Sequence, residues 1–366
     1  MLGESALVVL HIAHIDPSVV GGVQVAVPQM VAAQMKCADA ALLNTAGVAI
    51  DGVKTLVFDG EFDLQRLEKP FDKPDVVVFH ELYRIAFIKI YKNIKKAGVP
   101  YVIIPHGGLN RCAQHTKRLK KTVANFLLFN GYFKASAAIQ YLSDAEAASS
   151  ILKKACFVCG NGVRIPDVRK ERFFENGISF LYIGRFAVAF KGLDMLLEAI
   201  AAKREELTRT GCRFYLYGPD DADKAFVAGL ARDMHLEELV FIGDGVFGKQ
   251  KRETLLRADY FIQPSRSEGL PMGVLEALGY GVPCLVTQGT GLAGCIEGNG
   301  AGFAAPSDVE GVEDLLRKAI DKKGEITRLS KNARCLAKAK FDVDLLAAAA
   351  VKEYESIVSK IRDKGC

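Results

Sequence analysis

Two apolar runs, Ala258–Pro264 and Val282–Thr287, most constrain the fold, because the residues between them predict a loop and one short helix. The runs have the length and composition of buried strands. Pro271 suits the first helical position, and Gly279 or Gly281 can end the helix by accepting a positive φ. A strand, loop, helix and strand in this order predict a parallel sheet. The helix N-terminus then lies at the carboxyl edge of that sheet, where such folds bind ligands.

Two glutamates frame this predicted helix. Glu268 stands in the loop before it and Glu276 lies about one turn inside it, while Gly269 and Gly273 leave room beside the backbone. A helix N-terminus attracts anions by about 0.3–1 kcal/mol. Two carboxylates beside a phosphate would repel it unless they bind hydroxyl groups, and this combination of amides and carboxylates describes a site for a nucleotide sugar. The alternative is that Glu268 caps the helix and Glu276 is solvated.

Length and alternation predict an α/β protein with two domains. The 366 residues exceed one ordinary core, and the composition, with 34 glycines and no tryptophan, suits α/β architecture. Candidate strands and helices alternate through the first half, and a second alternating series begins at Ile178 after a polar linker. We therefore expect two doubly wound parallel sheets, in domains at residues 1–165 and 166–342, followed by a helix over residues 343–361.

Polar residues follow several of the predicted strands. Gly21 and Gly22 come after the first strand and can lay backbone amides against a phosphate. His106 ends another strand, where it would point to the ligand edge or serve as a hydrogen-bonded structural residue. Arg185 and Lys191 fall on a strand-to-helix connection and suit a diphosphate, with about 1.5–3 kcal/mol for each charge-assisted hydrogen bond.

The net charge of +5 is unevenly distributed. The segment Leu82–Ser143 has no acidic residue and eleven basic ones, and it includes a predicted helix over Thr116–Phe133. Such a segment suits an anionic membrane surface, at roughly 1 kcal/mol per nearby Lys or Arg, and we expect peripheral contact through residues 84–134. A merely solvated basic face is the alternative. Nucleic acid is not expected, because the interleaved aromatics of nucleic-acid sites are missing.

Cysteine usage and hydropathy indicate a cytoplasmic protein, with peripheral contact at the inner face of the cell membrane as a further expectation. The nine cysteines are scattered through apolar segments, which fits a reducing compartment. Cys156 and Cys159 form a C-x-x-C in a strand-like setting, where a structural role is favoured over metal binding. The run Ala6–Ile15 reads as a first strand rather than a signal peptide, and no run reaches the length of a membrane span. The acidic cluster Asp220–Asp223 precedes a helix, which favours capping over metal binding.

Taken together, these residues resemble the GT-B glycosyltransferases of family 4. The resemblance rests on Phe180–Arg185 with Lys191–Asp194, and on Ser265–Pro271 continuing to Glu276, which is similar to the E-x7-E signature of that family. Weaker similarities to the family occur in the first half, at Gly21-Gly22, Pro105-His106-Gly107, Ser143–Glu146 and Asn161-Gly162-Val163. One departure is Arg164, which stands where the family often has an acidic residue.

The resemblance implies two Rossmann-like domains that face a cleft, with the last helix crossing back to the first domain. The first domain would bind the acceptor and the second the nucleotide sugar. The implied reaction transfers a hexose, with retention of anomeric configuration, to a glycan or lipid-linked saccharide in surface polysaccharide biosynthesis. A UDP-sugar is favoured as donor over a GDP-sugar, and no metal or other cofactor is required. The alternatives are a GT-B nucleotide-sugar epimerase and a non-catalytic nucleotide-binding subunit of a polysaccharide assembly complex.

The resemblance also assigns roles to individual residues. Arg185 and Lys191 would bind the diphosphate, and Glu276 the ribose. Glu268, with the amides of Gly269 and Leu270, would hold the donor sugar. In the first domain, Gly21 and Gly22 would approach the phosphate, and His106 would line the sugar-transfer site. Since no nucleophile is evident, we expect front-face transfer in which the phosphate of the donor accepts the acceptor proton.

Overall fold

A computed structural model describes residues 6–19, 21–110, 129–174, 177–219 and 223–364. The chain divides into two compact units, one formed by Met1–Gly162 with Val343–Cys366 and the other by Val163–Asp342. The change of unit therefore comes three residues before the predicted domain boundary. Both units are built on parallel sheets, so the predicted α/β class with two doubly wound sheets is confirmed.

The first unit contains a seven-stranded sheet in the order β3-β2-β1-β4-β5-β6-β7. The fourth strand, with the sequence VVVFH, is buried at every position, which is typical of a parallel strand covered on both faces. The strands are β1 Val8–Ala13, β2 Asp39–Asn44, β3 Thr55–Val57, β4 Val76–His80, β5 Tyr101–Ile104, β6 Ala138–Tyr141 and β7 Cys156–Val158. The described helices of this unit are α1 Gly22–Gln34, α2 Ile85–Lys96, α3 Asn130–Ala135 and α4 Asp144–Ser149, with a final helix, Val343–Lys364.

The second unit contains a six-stranded sheet in the order β10-β9-β8-β11-β12-β13. The strands are β8 Ser179–Ile183, β9 Arg213–Tyr217, β10 Val240–Gly243, β11 Tyr260–Gln263, β12 Cys284–Thr287 and β13 Gly302–Ala305. The described helices are α5 Val188–Lys191, α6 Leu193–Ala202, α7 Arg204–Arg209, α8 Lys224–Asp233, α9 Gly248–Arg257, α10 Met272–Tyr280, α11 Ala293–Gly298, α12 Val309–Asp321 and α13 Ile326–Lys340. The final helix of the chain, in the first unit, is α14.

Both sheets reverse their strand order at one point, between β1 and β4 in the first unit and between β8 and β11 in the second. In open parallel sheets this reversal opens a crevice at the carboxyl ends of the two strands, because the connections leave in opposite directions. The fold therefore singles out the residues that follow β1, β4, β8 and β11 as candidate ligand positions.

Helix α10 begins and ends close to the predicted positions. Pro271 is the N-cap, with φ −71° and ψ 114°, rather than the first helical residue, and Gly281 ends the helix with φ +77°. Gly279 lies inside the helix. Most of the helix predicted over Thr116–Phe133 lies outside the described residues, as the structure resumes at Phe129.

The last helix packs within the first unit. Val343 and Ala347 of α14 form a small apolar cluster with Met30 and Ala33 of α1. A Cβ on Gly162 would lie 2.3 Å from the Cα of Val343, so only glycine lets the two chain segments approach this closely. Among the described residues, no helix is both long enough and apolar enough to cross a membrane.

Candidate active site

Lys191 and Glu268 meet at the carboxyl edge of the second sheet. Lys191 is the last residue of α5, which follows β8, and Glu268 lies in the loop that follows β11. The Lys191 ammonium forms an ion pair and hydrogen bond with Glu268 Oε2, and the two side chains are only 15% and 20% exposed. The strand reversal between β8 and β11 thus brings together two residues that are far apart in the sequence.

Glu268 is held by its backbone and by its side chain. Its N–H donates to the Gly289 carbonyl at 2.8 Å, and its own carbonyl accepts from Gly291 N–H at 2.8 Å. Gln263 Nε2 and Ser265 Oγ each donate to Glu268 Oε2 at 3.2 Å. Within the described residues, the Glu268 carboxylate accepts from Lys191, Gln263 and Ser265 and from no N–H of α10, so the alternative that Glu268 is a helix cap is wrong.

Gly192 allows the connection after β8 to pack closely against the loop after β11. It has φ +65°, and a Cβ there would lie 2.1 Å from the Pro264 carbonyl oxygen, so no other residue fits without a shift of the backbone. Beside it, the Phe190 carbonyl accepts hydrogen bonds from the N–H groups of Arg266, at 2.8 Å, and Ser267, at 3.3 Å. The position of Lys191 relative to Glu268 is therefore set by backbone contacts.

A second ion pair reinforces the same junction. The Arg266 guanidinium donates to both carboxylate oxygens of Asp194, at 2.7 and 2.8 Å. Burial alone would raise the pKa of Asp194, but the hydrogen bonds from Arg266 and the backbone outweigh it and leave the pKa below its usual value. The bidentate geometry fixes the beginning of α6 against the loop.

Glu276 lies on α10 and is not solvated as the alternative proposed. Its side chain is 14% exposed and forms an ion pair with Lys251 of α9. The buried Oε2 atom has no partner with hydrogen-bond geometry, so the contact is an ion pair alone. Sequence analysis missed Lys251, because nothing in its spacing connects a lysine of one helix with a glutamate 25 positions later on another.

The other second-unit residues that were predicted to bind the nucleotide sugar are accessible. Arg185 follows β8 and is exposed, and within the described residues its guanidinium forms no ion pair. A Cβ on Gly269 would meet nothing within 4 Å, and across the described parts of the chain the N–H groups of Gly269 and Leu270 find no hydrogen-bond acceptor. Gly273 is different, because a Cβ there would lie 2.9 Å from the Phe261 ring and 3.0 Å from the Ile183 carbonyl. The expectation that Gly273 leaves room for a ligand is wrong, since the protein itself occupies that room.

In the first unit, Gly21 is the N-cap of α1 and Gly22 is its first residue. Gly21 is extended, with φ −177°, a conformation that any residue adopts. A Cβ on it would meet only Gln24 Cγ, at 3.8 Å. The backbone at the start of α1 is therefore open, but no strain requires glycine there.

His106 follows β5 and has φ +48°, in the left-handed region. Its Nε2 lies 3.2 Å from Nδ1 of His80, so His106 is hydrogen-bonded. The turn is anchored by Glu146, whose two carboxylate oxygens accept from Gly107 N–H at 2.5 Å and from Leu142 N–H at 2.7 Å. Burial raises the pKa of Glu146, and these two hydrogen bonds partly offset the effect.

The acidic cluster and the cysteines carry no metal site in the described part of the chain. No group of three or more His, Cys, Asp or Glu side chains is arranged there so that it could hold a metal ion. Asp223 accepts a hydrogen bond from Val188 N–H at 2.9 Å, so it caps α5 and not its own helix. Asp220 and Asp221 lie outside the described residues. Cys159 is buried, Cys156 is exposed, and both are free thiols.

The basic segment is only partly described. Arg84 forms an ion pair with Glu81 at 3.0 Å. The lysines of α2 are exposed, namely Lys89, Lys92, Lys95 and Lys96. The other basic residues up to position 121 fall outside the described residues, namely Arg111, Lys117, Arg118, Lys120 and Lys121.

Comparison with known proteins finds sequence similarity to glycosyltransferases. Residues 163–335 match the family model described as Glycosyl transferases group 1. A curated relative, the MMP alpha-(1->4)-mannosyltransferase of Mycolicibacterium hassiacum, is 25% identical over 176 residues, which are 48% of this chain and 42% of the relative. The chain thus spans about two fifths of the length of the first curated relatives that it matches.

Two solved structures resemble the whole chain. Sucrose-phosphate synthase from Thermosynechococcus elongatus has a TM-score of 0.74 at 15% identity, covering 96% of this chain and 99% of its own. Anabaena Alr3699/HepE in complex with UDP and glucose has a TM-score of 0.74 at 16% identity, covering 96% and 100%. At this identity the likeness concerns the fold, and it confirms the GT-B fold predicted from the sequence.

Proposed function

We propose, from the premise that the second unit of this chain belongs to the family Glycosyl transferases group 1, that the protein is a retaining glycosyltransferase. It transfers a hexose from a nucleotide diphosphate sugar to a glycan or lipid-linked saccharide acceptor in surface polysaccharide biosynthesis. A UDP-sugar is favoured over a GDP-sugar. The second unit binds the donor, and the first unit binds the acceptor.

The observation that carries this proposal is the Lys191–Glu268 pair at the strand reversal between β8 and β11. It lies within the part of the chain that matches the family model. The ammonium group suits a diphosphate, while the carboxylate and the free N–H groups of Gly269 and Leu270 suit the hydroxyl groups of a sugar. The UDP and glucose bound by the Anabaena neighbour agree with such a donor.

Stabilising the departing diphosphate is the main task of the protein in this reaction, because negative charge develops on it as the glycosidic bond breaks. Arg185 and Lys191 supply the positive charge, and Glu276 binds the ribose of the donor. Within the first unit, Gly21 and Gly22 offer backbone amides that suit a phosphate, and His106 lies at the predicted ligand edge. The phosphate of the donor accepts the proton of the acceptor hydroxyl, so no protein nucleophile and no metal ion takes part in the scheme.

Replacing Lys191 by Ala tests the donor site. We expect release of the nucleoside diphosphate to slow by at least about tenfold, because one charge-assisted contact contributes about 1.5–3 kcal/mol. The donor is first identified by a thermal-shift screen of UDP-, GDP- and ADP-sugars, since a bound donor raises the stability of the protein. Release is then measured with and without acceptor saccharides.

A matched control is Lys249→Ala, which removes an exposed lysine of the same unit whose side chain is 81% exposed. This variant should keep the wild-type rate. Unchanged turnover in Lys191→Ala would refute the assigned site. Formation of an epimer without added acceptor would show a nucleotide-sugar epimerase, and donor binding without any turnover would show a non-catalytic subunit.

A further inference from the structure

Three histidines form a hydrogen-bonded row at the strand reversal of the first sheet. His11 lies on β1, His80 ends β4, and His106 follows β5. His106 Nε2 lies 3.2 Å from His80 Nδ1, His80 Nε2 lies 2.9 Å from His11 Nδ1, and His11 Nε2 lies 2.7 Å from Gln34 Oε1. His11 and His80 are fully buried, and the row runs from the interior to the predicted ligand edge.

All three imidazoles are neutral at neutral pH. Burial lowers the pKa of His11 to about 4 and that of His106 to about 4, and it lowers the pKa of His80 well below the usual value. A neutral imidazole has one N–H and one lone pair, so each ring can donate on one side only and must accept on the other. The three rings therefore all donate toward Gln34 or all donate away from it.

The direction of hydrogen-bond donation along the row is determined at its buried end, where the Cys159 carbonyl fixes the first donor. Gln140 Nε2 lies 3.0 Å from the Cys159 carbonyl, which can only accept, so the Gln140 oxygen faces Tyr354. The Tyr354 hydroxyl donates to this oxygen at 2.7 Å. Burial raises the pKa of Tyr354, with a smaller contribution from Cys159, and the neighbouring Gln34 side chain lowers it.

The single hydroxyl proton of Tyr354 goes to Gln140, so its oxygen presents only lone pairs to the neighbouring Gln34 side chain, and the Gln34 nitrogen is the atom that suits that side. The Gln34 oxygen then faces His11, where it lies 2.7 Å from Nε2, while the Gln34 nitrogen reaches no hydrogen-bond geometry. With that oxygen as acceptor, His11 donates through Nε2, and His80 and His106 must each donate through Nε2 in turn. Nδ1 of His106 is then left with a lone pair, and it contacts no donor in the described ranges.

We propose that His11 and His80 are positioning residues that fix His106 in its Nε2–H tautomer, with Nδ1 as a hydrogen-bond acceptor for a hydroxyl group of the substrate. A lone pair attracts a hydroxyl hydrogen and repels the oxygens of a phosphate, so this position selects the sugar part of a substrate. The hydroxyl as ligand rests on the proposed function, whereas the tautomer does not. The hydrogen bond from Gly107 N–H to Glu146 fixes the backbone next to His106.

The direct test is the tautomer of each histidine in the full chain, measured at pH 7 by long-range ¹H–¹⁵N correlation on ¹⁵N-histidine-labelled protein. The sequence has six histidines, and replacing them one at a time assigns their NMR signals. We expect His11, His80 and His106 all to carry the proton on Nε2. A proton on Nδ1 of His106 in the wild-type protein would overturn the proposal without any use of substrate.

A pair of variants at His11 tests the positioning. His11→Leu removes the acceptor for His80, so His106 should become a mixture of tautomers and kcat should fall about tenfold at a nearly unchanged donor KM. His11→Gln retains an oxygen that can accept, and it should restore most of both properties. The exposed His235, replaced by Gln, serves as control.

Each result has a definite meaning. A pure Nε2–H tautomer of His106 in His11→Leu, or equal loss in the Leu and Gln variants, would refute the positioning role. If His11→Leu does not fold, as judged by circular dichroism, the tautomer of His106 in the wild-type protein and in His11→Gln still tests the proposal. If the wild-type protein transfers no sugar, the proposed function fails while the tautomer measurement remains valid.

Discussion

Replacing Gly192 by Ala tests the backbone junction that positions Lys191. Gly192 has φ +65°, and a Cβ at this position would lie 2.1 Å from the Pro264 carbonyl oxygen and 2.4 Å from Met195 Cε. The left-handed backbone costs alanine about 1 kcal/mol, and a contact this close adds about 1–3 kcal/mol of overpacking. We expect the free energy of unfolding of the second unit to fall by roughly 2–4 kcal/mol.

Urea unfolding followed by circular dichroism measures this loss as a shift of the transition midpoint by about 1 M, for a slope of about 2–3 kcal/mol/M. The matched control is Gly269→Ala, in the loop after β11 that Gly192 contacts, because a Cβ there meets nothing within 4 Å. It should change the stability by less than about 0.5 kcal/mol. Equal midpoints for the two variants would refute the argument that contact with Pro264 requires glycine.

Two further predictions concern the first unit. Because the folded-state pKa of His11 is about 4 and its unfolded value is 6.5, the unfolded chain binds more protons in this window, so acidification from pH 6.5 to 4 should lower the free energy of unfolding by about 3 kcal/mol for this residue. Denaturant unfolding at each pH measures this free energy. In His11→Leu it should depend less on pH. Replacing Lys89, Lys92 and Lys96 of α2 by Ala should weaken flotation with vesicles of anionic lipid by about 1 kcal/mol per lysine.

The flotation experiment needs its own control. Lys331, Lys338 and Lys340 are exposed lysines of α13 in the second unit, and their replacement by Ala should leave flotation unchanged. Flotation that depends neither on anionic lipid nor on salt would argue against peripheral contact of residues 84–134 with a membrane.

Much of the fold was predictable because parallel strands buried on both faces are continuous apolar runs. The runs around β8, β11 and β12 marked the carboxyl edge where Lys191 and Glu268 meet. Strand β7 was indicated only as the strand-like setting of Cys156 and Cys159, because it has three residues and is largely exposed. The roles of the predicted residues toward a donor stay predictions, as does the role of each unit.

The contacts within the site were less predictable, because they join residues that no local pattern connects. His11 and His80 are 69 positions apart, and only the parallel pairing of β1 with β4 brings their rings together. In the same way, Lys251 meets Glu276 through the packing of two helices. Sequence periodicity reports which face of an element is buried, but it does not report which polar side chains share that interior.

The Lys191–Glu268 ion pair also affects which anions the proposed site retains. Before a donor arrives, the ammonium is already neutralised by a carboxylate, so an incoming phosphate competes with a resident anion rather than entering an empty positive field. Free inorganic phosphate can draw Lys191 away but offers little to the carboxylate that loses it. A sugar diphosphate supplies both partners at once, phosphate oxygens for the lysine and hydroxyl groups for the glutamate. We therefore expect the proposed site to favour the intact donor over free phosphate.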